Sequence, residues 1–203
     1  MPHRLGQLLL IILLLWTLPA QAQSSRVSHI YDGDTVKLAD GTRVRIIGID
    51  TPEWGRDKKP DEPFYAQAKA LTKALLHKQK VILTPGTARH DRHRRFLAYI
   101  ETADGEDIGA ALLKKGLALV FIFPPNIERM NHYLQLEAQA RKQGVGIWSR
   151  PAMRAITHTQ AHRHIGGYRL VRGKVLKVGR NRGRVYLNFG RNWKKDFTVV
   201  VEK

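Results

Sequence analysis

The fold of this chain is decided by residues 27–53, which read VSHIYDGDTVKLADGTRVRIIGIDTPE. β-Branched residues lie on both sides of Asp40-Gly41, a pair that favours a tight turn between antiparallel strands. We therefore predict that residues 27–38 and 43–49 form a hairpin. Asp32-Gly33-Asp34-Thr35 stands at the opening of the first strand and Asp50 follows the second, so the hairpin would bring acidic side chains together.

Outward from this hairpin, the pattern alternates between helices and strands. The apolar spacing of Phe64, Ala68, Leu71 and Leu75 predicts a helix over residues 63–77. Further helices are expected at residues 108–115, which Asp107 can cap, and at 128–142, with an apolar face that includes Leu134. Further strands are expected at residues 81–84, 95–100 and 117–123. The predicted fold class is α+β, mainly β: a five-stranded OB-fold barrel with about three helices, followed by a small β meander.

The composition narrows the class of function. The 203 residues include 35 Lys and Arg against 17 Asp and Glu, a net charge of +18, which indicates a polyanionic partner. The sequence has no cysteine. A disulfide framework, a thiolate metal site and a cysteine nucleophile are thereby excluded, so any catalysis must use oxygen and nitrogen groups.

The N-terminus has the pattern of a secretory signal peptide. A short basic start is followed by an apolar run and by Ala20-Gln21-Ala22, which predicts cleavage after Ala22. The alternative is an uncleaved anchor, but the run is well short of the roughly 20 residues that span a bilayer. We expect a periplasmic or secreted protein without stable membrane insertion after cleavage.

The remaining chain divides in two at a polar segment. We predict a catalytic domain over residues 23–150, a linker over 151–165 and a small basic β extension over 166–203. Residues 151–203 hold 13 Lys and Arg against 2 Asp and Glu. The extension either lengthens a nucleic-acid track or is a solvated basic surface, and both interpretations stay open.

Two acidic segments and two arginines carry the candidate chemistry. Carboxylates from Asp32-Gly33-Asp34-Thr35 and from Asp50-Thr51-Pro52-Glu53, with a backbone carbonyl, suit a hard cation such as calcium and leave positions for water and a phosphate. Taken alone, Asp-Gly-Asp is also typical of an ordinary turn. Arg45 and Arg95, on different strands, supply planar donors for the charge of a phosphoryl transition state.

Four blocks of residues match one family in order and spacing. They are IYDGDTV at residues 30–36, Arg45 with IDTPE at 49–53, DRHRR at 91–95 with LAYI at 97–100, and EAQA at 137–140 with IW at 147–148. Together they resemble the staphylococcal nuclease (thermonuclease) family over about residues 26–150. The resemblance implies a calcium-dependent endonuclease that hydrolyses DNA and RNA with little sequence specificity and leaves 3′-phosphates.

The resemblance also implies roles for single residues. Asp34, Asp50 and the Thr51 carbonyl would bind calcium, and Glu53 would position or deprotonate the attacking water. Arg45 and Arg95 would bind the scissile phosphate, while Asp32 would shape the loop. The implied substrate-binding residues are Arg92, His93, Phe121 and Phe123.

The chain departs from the family pattern near the substrate. Arg94 stands where the family has glycine, and Phe96 where it has a small residue, which affects the loop that aims Arg95. Phe121 and Phe123 replace tyrosines, which preserves stacking but removes hydroxyl bonds, so we predict weaker substrate affinity. Their alternative role is ordinary core packing.

A non-catalytic nucleic-acid-binding module is the alternative function. Such a module is expected to lack several of the acidic and arginine positions, and this chain has all of them, which favours the enzyme. We expect a monomer.

Overall fold

The computed structural model describes residues 23–55 and 59–202. The predicted signal peptide, residues 1–22, lies outside the described residues. In the part of the chain that is described, no helix combines the length and the apolar composition needed to cross a bilayer.

The larger part of the chain, up to residue 150, alternates strands with three α-helices. In chain order the elements are β1 (Gln23–Ile30), β2 (Thr35–Leu38), β3 (Arg43–Ile46), β4 (Gly48–Asp50), α1 (Tyr65–Leu76), β5 (Lys80–His90), β6 (Phe96–Thr102), α2 (Ile108–Lys114), β7 (Leu119–Phe121) and α3 (Met130–Gln143). Five of the strands close into a barrel in the order β1-β2-β3-β6-β5. Only the β3–β6 pair of this barrel is parallel. The predicted α+β, mainly β class with a five-stranded barrel and three helices is confirmed.

The prediction of one strand over residues 27–38 is wrong, because the chain turns at Asp32. The Asp32 carboxylate oxygen Oδ1 accepts hydrogen bonds from the backbone N–H groups of Asp34 (3.0 Å) and Thr35 (2.6 Å). These bonds stabilise a turn that separates β1 from β2. The predicted Asp-Gly hairpin therefore joins β2 to β3, and Gly41 takes a positive φ of 93° in its turn.

Two further strand predictions are wrong. Residues 43–49 do not form one strand, and the strand predicted at 117–123 is not part of the barrel. Gly48 has a φ of 83°, a left-handed conformation that interrupts the strand and separates β3 from β4. β4 leaves the barrel and pairs with β7 in a separate two-stranded sheet. The barrel closes instead through β1, which pairs with both β2 and β5.

The three helices contribute buried residues to the same core as the barrel strands. Asp107 caps α2 by accepting a hydrogen bond from the Ala110 N–H (3.0 Å), as the sequence predicts. The helix α3 buries Tyr133, Leu136 and Ala140. Leu134, predicted to face the core, is 44% exposed.

The last fifty residues form smaller sheets beside α3. After 3₁₀ turns at Gly146–Ser149 and Pro151–Met153 come β8 (Ile156–Thr157), a 3₁₀ helix (His158–His164), β9 (Val171–Arg172), β10 (Lys177–Asn181), β11 (Arg184–Asn188) and β12 (Thr198–Val201). β10, β11 and β12 form an antiparallel sheet, and β8 pairs with β9 in parallel. Met153 and Leu170 pack against a cluster of Ala140, Ile147 and Trp148, which attaches this region to the barrel.

Candidate active site

Asp34 is buried at the start of β2 and is held from several sides. The residue is 1% exposed and belongs to the turn that Asp32 stabilises. Oδ2 accepts hydrogen bonds from the Thr51 N–H (2.8 Å) and the Thr51 hydroxyl (3.0 Å). Oδ1 accepts a bond from the Thr35 hydroxyl (3.0 Å). The residues just after β4 are thereby tied to the β1–β2 turn.

Arg45 joins the two candidate metal-binding carboxylates. Its Nε lies 3.1 Å from Asp34 Oδ1, and its Nη2 lies 2.7 Å from Asp50 Oδ1. Nη1 donates to the backbone carbonyls of Ile46 and Ile49, both at 2.8 Å. Because these four contacts use the planar fork of a guanidinium, they fix its position more strictly than an ammonium group could be fixed. Asp34, Arg45 and Asp50 form one cluster at the rim of the barrel.

Burial shifts the pKa of two carboxyl groups at this cluster. It raises the pKa of Asp50, and the neighbouring Arg45 charge opposes that shift. In the turn, burial and the charge of Asp34 raise the pKa of Asp32 to about 6, although the backbone N–H bonds oppose them. The charge of Asp34 contributes to both upward pKa shifts, so a cation bound at the rim would be favoured electrostatically.

Thr51 and Glu53 follow β4 directly. The Glu53 N–H donates to Glu62 Oε2 (3.0 Å), and the Glu62 N–H donates back to the Glu53 carbonyl (3.0 Å). These reciprocal bonds close the loop that begins at Glu53. The exposed Glu53 lies near the β1–β2 turn, since its charge contributes to the raised pKa of Asp32.

Arg95 precedes β6, the strand next to β3, and is held by Asp91. Its Nε lies 2.7 Å from Asp91 Oδ2, while Asp91 Oδ1 accepts from the backbone N–H groups of His93 (2.8 Å) and Arg95 (3.0 Å). Arg94 has a φ of 61°, the left-handed conformation for which glycine is better suited. The loop is thus a closed turn in which the Asp91 carboxylate positions the Arg95 guanidinium.

The four predicted substrate-binding residues are at the surface. Arg92 and His93 are exposed in the loop of Arg95, with Arg92 Nε 3.1 Å from His93 Nε2. Phe121 ends β7 opposite Gly48 and is 56% exposed, and Phe123 is 76% exposed. The alternative of core packing for the two phenylalanines is therefore wrong, and both rings are available to a ligand.

The donor set fits a hard divalent cation. Among residues 23–55 and 59–202, no three His, Asp or Glu side chains are grouped as a metal site, so a cation at the rim would also need backbone and water oxygens. Asp34, Asp50 and the Thr51 carbonyl would then provide two carboxylates and one neutral oxygen. All are hard oxygen donors, and the rest of the coordination shell would be left to water and substrate.

Some supporting residues were missed by sequence reasoning. The role of Asp91 as the partner of Arg95 has a sequence signal in their four-residue spacing. The Thr51 hydroxyl bond to Asp34 and the carbonyls of Ile46 and Ile49 that hold Arg45 have no such signal. They depend on the path of the chain between β3 and β4.

This combination defines a class of protein. A small closed barrel with two carboxylates and an arginine clustered at its rim is suited to binding and hydrolysing phosphodiesters. A family model for staphylococcal nuclease homologues matches residues 43–150. The chain belongs to the staphylococcal nuclease family and is a phosphodiester-hydrolysing nuclease, as the sequence resemblance predicts.

Individual relatives agree with this assignment. The chain is 35% identical over 133 residues to Thermonuclease from Staphylococcus intermedius, covering 64% of this chain and 79% of the relative. It is also 35% identical over 133 residues to Thermonuclease from Staphylococcus hyicus, covering 64% and 78%. It is 32% identical over 124 residues to Endonuclease YncB from Bacillus subtilis, covering 59% and 58%.

Proposed function

We propose that this nuclease is a calcium-dependent endonuclease that cleaves DNA and RNA with little sequence specificity and leaves 3′-phosphates. The observation that carries the proposal is the single Arg45 guanidinium in contact with both Asp34 (3.1 Å) and Asp50 (2.7 Å). It supports a site where a cation and a phosphate are bound side by side. The rim would admit any phosphodiester, since its carboxylates and guanidinium suit a cation and a phosphate, which DNA and RNA share.

Calcium is proposed at Asp34, Asp50 and the Thr51 carbonyl. When bound, it would polarise the phosphodiester and offset the negative charge of the transition state. Asp34 is rigid, since Thr35 and Thr51 occupy both of its oxygens. Asp50 is the adaptable ligand, since its side chain is 48% exposed.

The arginines and Glu53 are proposed to act on the phosphate and the water. Arg45 would donate to the scissile phosphate from its fixed position, and Arg95 would bind the same group and favour departure of the 5′-oxygen. Glu53 would position the attacking water and could accept its proton. The hydrogen bonds from the two arginines become stronger as negative charge accumulates on the phosphoryl oxygens.

The substrate strand is proposed to extend over the exposed aromatic rings. Phe121 and Phe123 would stack on bases, while Arg92 and His93 would contact phosphate groups. Because phenylalanine has no hydroxyl, affinity would rest on stacking and on charge. We further propose export through residues 1–22, action as a monomer, and the division into a catalytic domain and a basic extension.

Cleavage assays with metal control test the proposal. Purified protein is incubated with DNA and with RNA in calcium, in magnesium and in excess chelator; we expect cutting of both polymers in calcium only. The Glu53→Ala variant should lose at least about 100-fold in rate, whereas Glu106→Ala, which removes an exposed carboxylate from the distant 103–106 turn, should not. If products can be extended by a polymerase only after phosphatase treatment, they carry 3′-phosphates. Cutting in chelator, or full activity of Glu53→Ala, would contradict the proposal.

A further inference from the structure

The C-terminal extension contains a cavity separate from the rim of the barrel. It has a volume of about 780 Å³, within the range of small-ligand sites. Its walls come entirely from residues 156–197, chiefly the 3₁₀ helix His158–His164, β9 and the loops beside β11 and β12. We call it the extension pocket.

One wall of the extension pocket is aromatic. The rings of Phe189 and Phe197 lie edge to face with their centroids 5.3 Å apart. The His158 ring lies 5.9 Å from Phe189. Ile156, Val171 and Leu176 complete an apolar floor. Flat aromatic surfaces of this kind stack on nucleobases whatever their identity.

Two cationic side chains also line the pocket. They are Arg169 and Lys195. Asp196 is the one acidic residue of the lining, and its carboxylate already accepts a hydrogen bond from the Asn192 N–H (2.7 Å). In the described part of the chain no ion pair includes Arg169 or Lys195, and Arg169 Nη1 donates to the Tyr168 carbonyl (2.9 Å). These cations lack an anionic partner, which a bound phosphate would supply.

We propose that the extension pocket is a second nucleic-acid site, which takes one nucleotide of a single-stranded segment. Its base would pack against Phe189 and Phe197, and its phosphate would bind Arg169 and Lys195. An aromatic wall beside unpaired cations matches a nucleotide better than an acyl chain, which needs no cation, or an acidic peptide, which needs no flat apolar surface.

Because the extension is attached to the barrel, a ligand bound in the extension pocket would affect how the nuclease binds its substrate. Leu170, next to Arg169, packs against the barrel cluster of Ala140, Ile147 and Trp148, so the pocket lies beside the attachment of the extension to the barrel. A strand that occupies both sites would bind as a bivalent ligand, more tightly than a strand that reaches only one. Long substrates are therefore retained better than short ones.

Binding without cleavage tests this site. The full chain is titrated in excess chelator with a fluorescent single-stranded oligonucleotide, so the outcome is independent of calcium and of turnover. The double variant Arg169→Ala, Lys195→Ala should bind about 10-fold or more weakly, with a salt slope smaller by about 1 to 2. The matched control Lys177→Ala, Arg180→Ala removes the same charge from exposed positions outside the pocket and should lose less than about 3-fold. Equal losses in the two variants would overturn the proposal.

Further arms separate base insertion from charge attraction. An oligonucleotide with abasic positions should bind the wild type more weakly than the intact strand does. A Phe197→Leu variant, which keeps an apolar side chain, should lose affinity for the intact strand and not for the abasic one. Preference for a nucleoside monophosphate over the oligonucleotide, or competition by anionic phospholipid vesicles at equal charge, would overturn the assignment to a nucleic-acid strand.

Discussion

The barrel and the C-terminal extension differ in what they bury. Among the described residues, every buried hydrophobic side chain lies between Val27 and Trp148. The extension, residues 151–202, has no fully buried residue; Val178 and Val200 of its sheet are exposed, as is Trp193 in the loop before β12. The barrel thus supplies its own stability, while the extension depends on contacts such as Leu170 against the barrel.

The two regions differ equally in how they use charge. In the barrel, Arg45, Arg95 and Arg129 each bind a carboxylate within 3.1 Å. In the extension, one ion pair is found among the described residues, between Arg184 and Glu202. A guanidinium group bound to a carboxylate is held in one position, whereas an unpaired cation can bind an anionic ligand. The arginine held by several contacts therefore lies in the barrel, and Arg169 and Lys195, which have no ion pair among the described residues, lie in the extension.

The largest effect is expected from replacing the fixed arginine of the barrel. Arg45→Lys should lower kcat/KM on DNA by about 1,000-fold or more, because an ammonium cannot contact Asp34, Asp50 and two carbonyls at once. The control is Arg43→Lys, the same change on the same strand, at an exposed residue over the Tyr31 ring. Steady-state hydrolysis in saturating calcium measures both. Activity of Arg45→Lys within 10-fold of wild type would contradict the role of the fork.

The next effect concerns stability, and it compares the same substitution in the two regions. Leu112 is fully buried in α2, so Leu112→Ala should cost about 2–5 kcal/mol of unfolding free energy. Leu187 in β11 is only partly buried, so Leu187→Ala should cost less than about 1.5 kcal/mol. Urea unfolding followed by Trp fluorescence gives both values. Equal costs would mean that the extension has a core comparable to that of the barrel.

The sequence predicted the barrel but assigned its strands incompletely. Hydrophobic alternation shows where extended chain lies, yet it does not show where a side chain ends a strand by bonding to the backbone, as Asp32 does. Nor does it show that Gly48 turns β4 out of the barrel to meet β7. Both errors have one cause: local turn chemistry decides which strands can close a sheet.

At the site, the motif positions were predictable and their contacts were not. The hairpin pattern predicts that acidic side chains come together, and in the structure Arg45 contacts both Asp34 and Asp50. The left-handed Arg94 shows a different limit. Arg94 stands where the family has glycine, but Asp91 bonds hold the turn with arginine in the left-handed conformation. This compensation comes from local bonds within the loop, between residues two and four positions apart.

A smaller effect on activity is expected at Asp91, which holds the second arginine. Burial alone would raise the pKa of Asp91, but the bonds and charge of Arg95 outweigh it and lower that pKa, so the carboxylate is ionised at neutral pH. Asp91→Asn removes this charge-assisted partner and should lower kcat/KM by about 10- to 100-fold. Asp104→Asn, on the exposed 103–106 turn, is the matched control. A loss in Asp91→Asn that appears only in KM would indicate that Arg95 binds substrate without assisting the chemical step.

The smallest effect is expected at Tyr99, which links the barrel to the start of α3. Its hydroxyl donates to Glu128 Oε2 (3.0 Å), and burial together with this bond raises the pKa of Tyr99 to about 12. Tyr99→Phe should cost about 1 kcal/mol at neutral pH through the lost bond. Because the unfolded tyrosine ionises near pH 10, the wild type should also lose stability between pH 10 and 12, and the variant should lose less.

Unfolding midpoints measured from pH 7 to pH 11.5 test the prediction for Tyr99. Some alkaline loss should remain in Tyr99→Phe, since burial and the charge of Asp107 also raise the pKa of Tyr133. Tyr168→Phe changes an exposed tyrosine of the extension, so its curve should follow that of the wild type throughout. If Tyr168→Phe flattened the alkaline limb as much as Tyr99→Phe, buried polar bonds would not be what separates the barrel from the extension.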